Sequence, residues 1–149
     1  MRIEFTVSGR PPRKQQTTSM WSQLNEALLV ASLRMKALEA MKRAGLNDCF
    51  HSFVSLELTL FTPYLQLEKV GDLDTFITGV CDSLQAAHVN TTSSVNPLFL
   101  EPQYREIDPK RPLLIENDSK IMSIVAKKKS LDVGQTVYYR VVIEPLASI

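Results

Sequence analysis

Apolar and polar residues alternate from the start of the chain. Ile3, Phe5 and Val7 interleave with Glu4, Thr6 and Ser8, the period of a half-buried strand, and Gly9-Arg10-Pro11-Pro12 ends it. The RKQQTTS stretch that follows reads as polar loop. From about Ser22 the period changes: Leu24, Leu28, Ala31, Met35, Leu38 and Met41 recur at helical spacing, and Lys42, Arg43 and Gly45 supply a basic last turn and a C′ glycine. Val54, Leu56, Leu58 and Leu60 alternate with Ser55, Glu57 and Thr59, so a second strand is expected before Pro63. After Gly71, the residues Phe76, Ile77, Val80, Cys81 and Leu84 fall on one side of a helix running to roughly Ala87, with Asp72 as a plausible N-cap. Residues 88–112 are irregular and carry Pro97, Pro102, Pro109 and Pro112. A connection this long is expected to be functional, partly mobile, or to hide a short element. Two further strands are expected at about 119–127 and 136–144, joined through SLDVGQ, whose Asp132 and Gly134 suit a hairpin turn.

Strand, helix, strand around residue 72 implies a right-handed crossover and a parallel pair, whereas the last two strands are expected to pair antiparallel. The fold class is therefore α/β (α+β): one domain, residues 1–149, with a four-stranded mixed sheet and two main helices. With 149 residues, 44% of them hydrophobic and 22% charged, such a domain buries a real core without covalent staples. MRIEFTV already alternates like a strand and is no targeting peptide, and ALLVASL at 27–33 is too short to span a bilayer, so a cytoplasmic protein with no membrane association is expected. Cys49 and Cys81 have neither CxxC spacing nor a nearby histidine pair, and they read as reduced thiols rather than a zinc site or a disulfide. The Asn90-Thr91-Thr92 sequon carries no meaning in that compartment.

Charge changes the picture more than composition does. The net charge of +1 hides eight Lys or Arg against four acids in residues 1–50, about +4, and about −3 over the remainder. Bases gather again at Lys120 and Lys127–Lys129, and acids around 101–118. A polyanion running past a metal-binding acidic centre fits such patches, and so does an ordinary solvated surface.

The acids in GDLDTFITGVCDSLQ, residues 71–85, allow two readings. Asp72 and Asp74 can cap a helix and favour its positive end. Alternatively they hold a metal with Asp118 of LLIENDSKI, residues 113–121, which the crossover can return beside the second helix. Oxygen ligands from two segments suit Mg²⁺, which takes a few carboxylates and completes its shell with water and phosphate oxygens. Such an ion polarises a scissile phosphate and lowers the pKa of an attacking water.

GDLDTFITGVCDSLQ followed by IENDSKI resembles the RusA-type Holliday-junction resolvases, whose motif is approximately a DLDN start, a helix with a later Asp-x-Leu, and a DD-x-Q or NDS-Q segment before a strand. The order of elements agrees as well, and the resemblance covers most of the chain. It implies a homodimeric, Mg²⁺-dependent endonuclease cleaving branched DNA at four-way junctions, with Asp72, Asp74 and Asp118 as metal ligands and catalytic carboxylates. Asp82 matches a helix aspartate read as structural, and Asn117 stands where many members have another acid. Two departures stand out: Thr75 replaces the asparagine after the DLD, and Thr78 occupies the position of the family's lysine, which would stabilise phosphate charge. Lys120, two residues past Asp118, is the candidate substitute. The 88–112 link is also longer than the family's.

Arg10, Arg13 and Lys14 flank a proline turn where the family contacts DNA, and Lys127 and Lys129 of the Lys127–Lys129 run share one strand face. These five are the candidate DNA-binding residues, with a solvated loop and edge protection as the competing explanations. Trp21 and Tyr64 could stack on bases but also suit packing. His51 and His88 are isolated and take no role. Three function classes follow: a junction-cleaving endonuclease, a non-catalytic branched-DNA-binding relative, and a small protein-interaction domain.

Overall fold

The computed structural model describes residues 1–14, 19–87 and 95–146. Four strands, β1 (Ile3–Ser8), β2 (Val54–Pro63), β3 (Ile121–Leu131) and β4 (Tyr138–Pro145), form one mixed sheet in the order β1-β4-β2-β3. Helix α1 (Leu24–Ala44) and helix α2 (Leu73–Ser83) cover one face. The α+β architecture is the one the sequence pattern implies. β2 and β3 pair in parallel around α2, with Val54 opposite Ile121 and Pro63 opposite Leu131. β4 is antiparallel to both β1 and β2.

The alternation of β2 fixes which face is buried. Val54, Leu56, Leu58 and Leu60 point under the helices, beside Ile3, Phe5 and Val7 of β1 and Tyr139, Val141 and Ile143 of β4. Burying each such side chain contributes about 1.5–3 kcal/mol. The other face is mixed: Phe61 stacks on Tyr138 there, beside ion pairs of Glu57 with Lys127 and of Glu4 with Arg2 and Arg140.

Three features differ from the sequence expectation. The last two strands run in opposite directions as expected but are not neighbours, because β2 lies between them. β2 has two free backbone edges, so the crossover strand β3 pairs on one and the returning strand β4 on the other. Asp132 and Gly134 still make a turn, with the Gln135 amide on the Asp132 carbonyl, but the following segment passes over β2.

The second difference lies in α1. The helix is present and ends as read, with Gly45 at φ 73° and its amide on the Lys42 carbonyl. Its buried face, however, runs through Glu26, Ala27, Val30, Ala31, Leu33, Arg34, Ala37, Ala40 and Met41, while Leu24 and Leu28 are exposed. Two charged residues occupy the core side because loops satisfy them. Third, α2 ends at Ser83 rather than near Ala87. The 95–112 part of the long connection hides two 3₁₀ turns, Pro97–Leu100 and Pro102–Ile107, which bury Leu98, Phe99 and Ile107. Residues 88–94, with His88 and the Asn90 sequon, lie outside the described residues.

Candidate functional site

The basic loop after β1 is laid along α2 by two contacts. Gly79 of α2 faces the Pro12 carbonyl so closely that any Cβ there would overlap it. Glu26 of α1 receives both terminal nitrogens of Arg10, at 3.0 and 2.5 Å, and the Arg13 amide at 2.7 Å. Burial alone would raise the Glu26 pKa, but these hydrogen bonds and the Arg10 and Arg13 charges outweigh it and hold the carboxyl below its ordinary value. Arg10 is thus engaged within the protein. The same loop carries Lys14 onto α2, where its Nζ lies 3.1 Å from Asp82.

Asp72 occupies the N-cap position of α2, yet its side chain makes no capping hydrogen bond and is exposed. It lines a hollow of about 330 Å³ with Arg13, Lys14, Gly71 and Thr75. Asp74, in the first turn, is also exposed, and its backbone carbonyl accepts the Thr78 hydroxyl at 2.8 Å. Asp118 begins a 3₁₀ turn, Asp118–Lys120, started by Asn117, whose side chain accepts the Ser119 amide. The carboxylate of Asp118 accepts a hydrogen bond from Gln85 Nε2. A second hollow, about 250 Å³, is lined by Lys14, Ile77, Thr78, Cys81, Asp82, Asp118, Ile121 and Ile124. Lys14 borders both hollows. Burial, then the charges of Asp118 and Asp82, push the Cys81 thiol up to about 12, which keeps it protonated and unreactive.

Asp118 therefore returns beside α2 as the crossover required, but the three carboxylates do not converge. Among the described residues, only Asp48, Cys49 and His51 bring three metal-ligating side chains within 4.8 Å of one another. Asp72 and Asp74 sit at the start of α2, whereas Asp118 is tied to Gln85 beyond its end. The donors are all oxygen and mostly exposed, which fits Mg²⁺ held by one or two carboxylates with water and phosphate. They do not form a preassembled cage.

The remaining candidate bases are dispersed. Lys120 Nζ lies over the Phe53 ring, 5.3 Å from its centroid, and does not line the hollow of Asp118. Lys127 pairs with Glu57 at 3.2 Å, and Lys128 donates to the Leu67 carbonyl at 2.6 Å. Lys127 and Lys129 share the mixed face of the sheet, opposite Thr59 and Phe61 of β2. Trp21 is buried against Phe99, which is a packing role, while Tyr64 is exposed.

Two residues that order this site were missed in the sequence. Gln85 closes the GDLDTFITGVCDSLQ stretch one turn past Cys81, and an i, i+4 count from Cys81 would have placed it on the Asp118 side. Arg34 is fully buried in α1 and its guanidinium donates to five carbonyls, those of Ser83, Gln85, Ile107, Asp108 and Arg111, at 2.7–3.1 Å. Together with the Leu113 amide on the Leu84 carbonyl, it fixes the end of α2 to the segment leading to Asp118. Desolvation lowers its pKa to about 10, so it remains a cation.

No protein-family model matches the chain, and no curated protein matches it. Among the described residues no helix is long and apolar enough to cross a membrane.

Proposed function

We propose that the chain is a Mg²⁺-dependent, homodimeric endonuclease that resolves four-way DNA junctions in the cytoplasm, in the manner of the RusA-type resolvases its motifs resemble. The observation that carries this reading is the position of Lys14. It borders both the Asp72 hollow and the hollow containing Thr78, Asp82 and Asp118, so a cation reaches the place where the resemblance puts a lysine and this chain has Thr78. Lys14, rather than Lys120, then stabilises phosphate charge.

Asp72 and Asp74, together at the start of α2, would supply the carboxylates that hold the ion, which when bound polarises the phosphate and activates water, while Asp118 lines the adjoining hollow that Lys14 also borders. Lys14 exchanges Asp82 for a phosphate oxygen, and Arg13 at the Asp72 hollow orients the backbone. Lys127 and Lys129 contact phosphates farther along the duplex. Two copies related by a two-fold axis would match the symmetry of a four-way junction. β3 is an edge strand, and its unpaired backbone edge would accept a second copy.

The test is incubation with a synthetic four-way junction and with linear duplex, in Mg²⁺ or EDTA. Junction nicking that is lost in Asp72→Asn, Asp118→Asn and Lys14→Ala, and kept in Lys120→Ala, supports the reading. Salt-sensitive junction binding without nicking under any divalent metal would instead support a branched-DNA-binding accessory protein, which the separation of the carboxylates favours. Absence of any binding would leave the small protein-interaction domain.

A further inference from the structure

The loop between α1 and β2 carries a second group of ligating side chains, of different chemistry and away from the acids of α2. Asp48 uses one carboxylate oxygen to accept the Cys49 amide at 2.8 Å, which turns its other oxygen toward His51 Nε2 at 3.0 Å. Cys49 is buried beneath them, while Asp48 and His51 are exposed, and the ligand atoms of all three lie within 4.8 Å of one another. On the opposite side of the imidazole, Nδ1 faces Glu116 at 3.5 Å. The loop is held against the Glu116 segment by the Phe50 amide on the Leu114 carbonyl and by a parallel bridge between Phe50 and Ile115.

We propose that Asp48, Cys49 and His51 form a zinc site, with Glu116 as the carboxylate that orients His51. A thiolate, an imidazole and one carboxylate make a mixed sulfur, nitrogen and oxygen set, which suits a borderline-soft cation and not Mg²⁺. Binding through Nε2 leaves the Nδ1 proton directed at Glu116, the carboxylate–histidine arrangement that fixes the tautomer and ring orientation of a ligating histidine. Asp48 and His51 open to solvent, so water completes the tetrahedron. Zinc binds the thiolate, so uptake expels the Cys49 proton, and a dication among the two carboxylates offsets that cost. The bound ion would clamp the start of β2 to the segment that ends in Asp118. Nothing in this proposal depends on nuclease activity.

The experiment uses the full chain, stripped with EDTA and dialysed, and titrated with zinc alone against a chromogenic chelator, then with Co²⁺ as a spectroscopic stand-in. One zinc per chain, a raised Tm and a thiolate-to-cobalt charge-transfer band are expected. Cys49→Ser should lose the band. His51→Ala, at an exposed position and with its folding checked by circular dichroism, should lose zinc binding. Glu116→Gln should weaken binding on the order of tenfold to a hundredfold. Cys81→Ser should keep both band and binding. The proposal is overturned if wild type takes up no zinc, if His51→Ala binds zinc as wild type does, or if the band follows Cys81 instead of Cys49.

Discussion

Two cations meet the same helix at different depths. Arg34 is fully buried, and every N–H of its guanidinium is matched by a carbonyl; the Trp21 ring lies 5.3 Å away. Lys14 is more than half exposed and holds a single carboxylate, Asp82. The first has no donor left for a ligand, and water could not replace its partners without opening the core. The second exchanges its partner at little cost, since exposed ion pairs contribute about 0–1 kcal/mol. Charge alone does not distinguish a structural cation from an available one, whereas the number and kind of acceptors around it do.

The comparison breaks hardest at Arg34. Arg34→Met keeps length and apolar packing but strips five carbonyls of their donor. A loss of about 3–5 kcal/mol is expected, as for removal of one side of a buried charged network. For a chain of this size that is a fall in Tm of roughly 6–20 °C by thermal denaturation. An unchanged Tm would mean that the carbonyls find other partners and that the end of α2 does not depend on Arg34.

Glu26 comes next, because it anchors the loop that delivers Lys14. Glu26→Gln should cost about 1.5–3 kcal/mol at neutral pH, the range for hydrogen bonds to a charged group. Its folded-state pKa lies below the ordinary value, so its contribution is fully present above the unfolded pKa and is lost as pH falls through the folded one. Denaturant unfolding of wild type and Glu26→Gln should therefore differ at neutral pH and converge in acid. A constant gap at all pH values would show that the carboxylate charge is irrelevant.

A smaller effect is expected at Gly79. Gly79→Ala pushes a methyl into the Pro12 carbonyl, and overpacking of this kind costs typically about 1–3 kcal/mol, reduced here because the loop can lift from the helix. Lifting moves Lys14 off α2. On the proposed junction-binding reading, affinity for a four-way junction should fall in this variant while the α1 and sheet core, followed by near-ultraviolet circular dichroism, stays intact.

The same contrast explains what the sequence disclosed. Periodicity located both helices and all four strands because the buried faces of β1, β2 and α2 are mainly apolar. It misplaced the buried face of α1, since Glu26 and Arg34 score as surface residues, and their partners are backbone groups and a loop many residues away. It paired β3 with β4 because a turn signal is local, whereas the choice of neighbour depends on β2 having two free edges. At the candidate site the acids were legible one by one and Asp118 did return beside α2. The separation of Asp118 from Asp72 and Asp74 was not legible, because it depends on Gln85 and on the Arg34 latch. Lys14 was named only for its charge. Its place above Thr78 follows from Gly79, whose missing side chain carries no chemical signal at all.

Lys14 gives the smallest expected change in stability and the sharpest test of the comparison. Lys14→Ala removes one exposed ion pair, so unfolding free energy should stay within about 0.5 kcal/mol of wild type. If the proposed nuclease reading holds, loss of this cation beside the phosphate should nevertheless lower junction cleavage about 10²–10³-fold. Thr78→Lys in the Lys14→Ala background restores a cation to the same hollow from the helix itself, and should recover part of the lost rate in a nicking assay. Recovery there would separate charge at that location from any role of the loop. No recovery, with Lys14→Arg active, would place the requirement in the loop's own reach across α2.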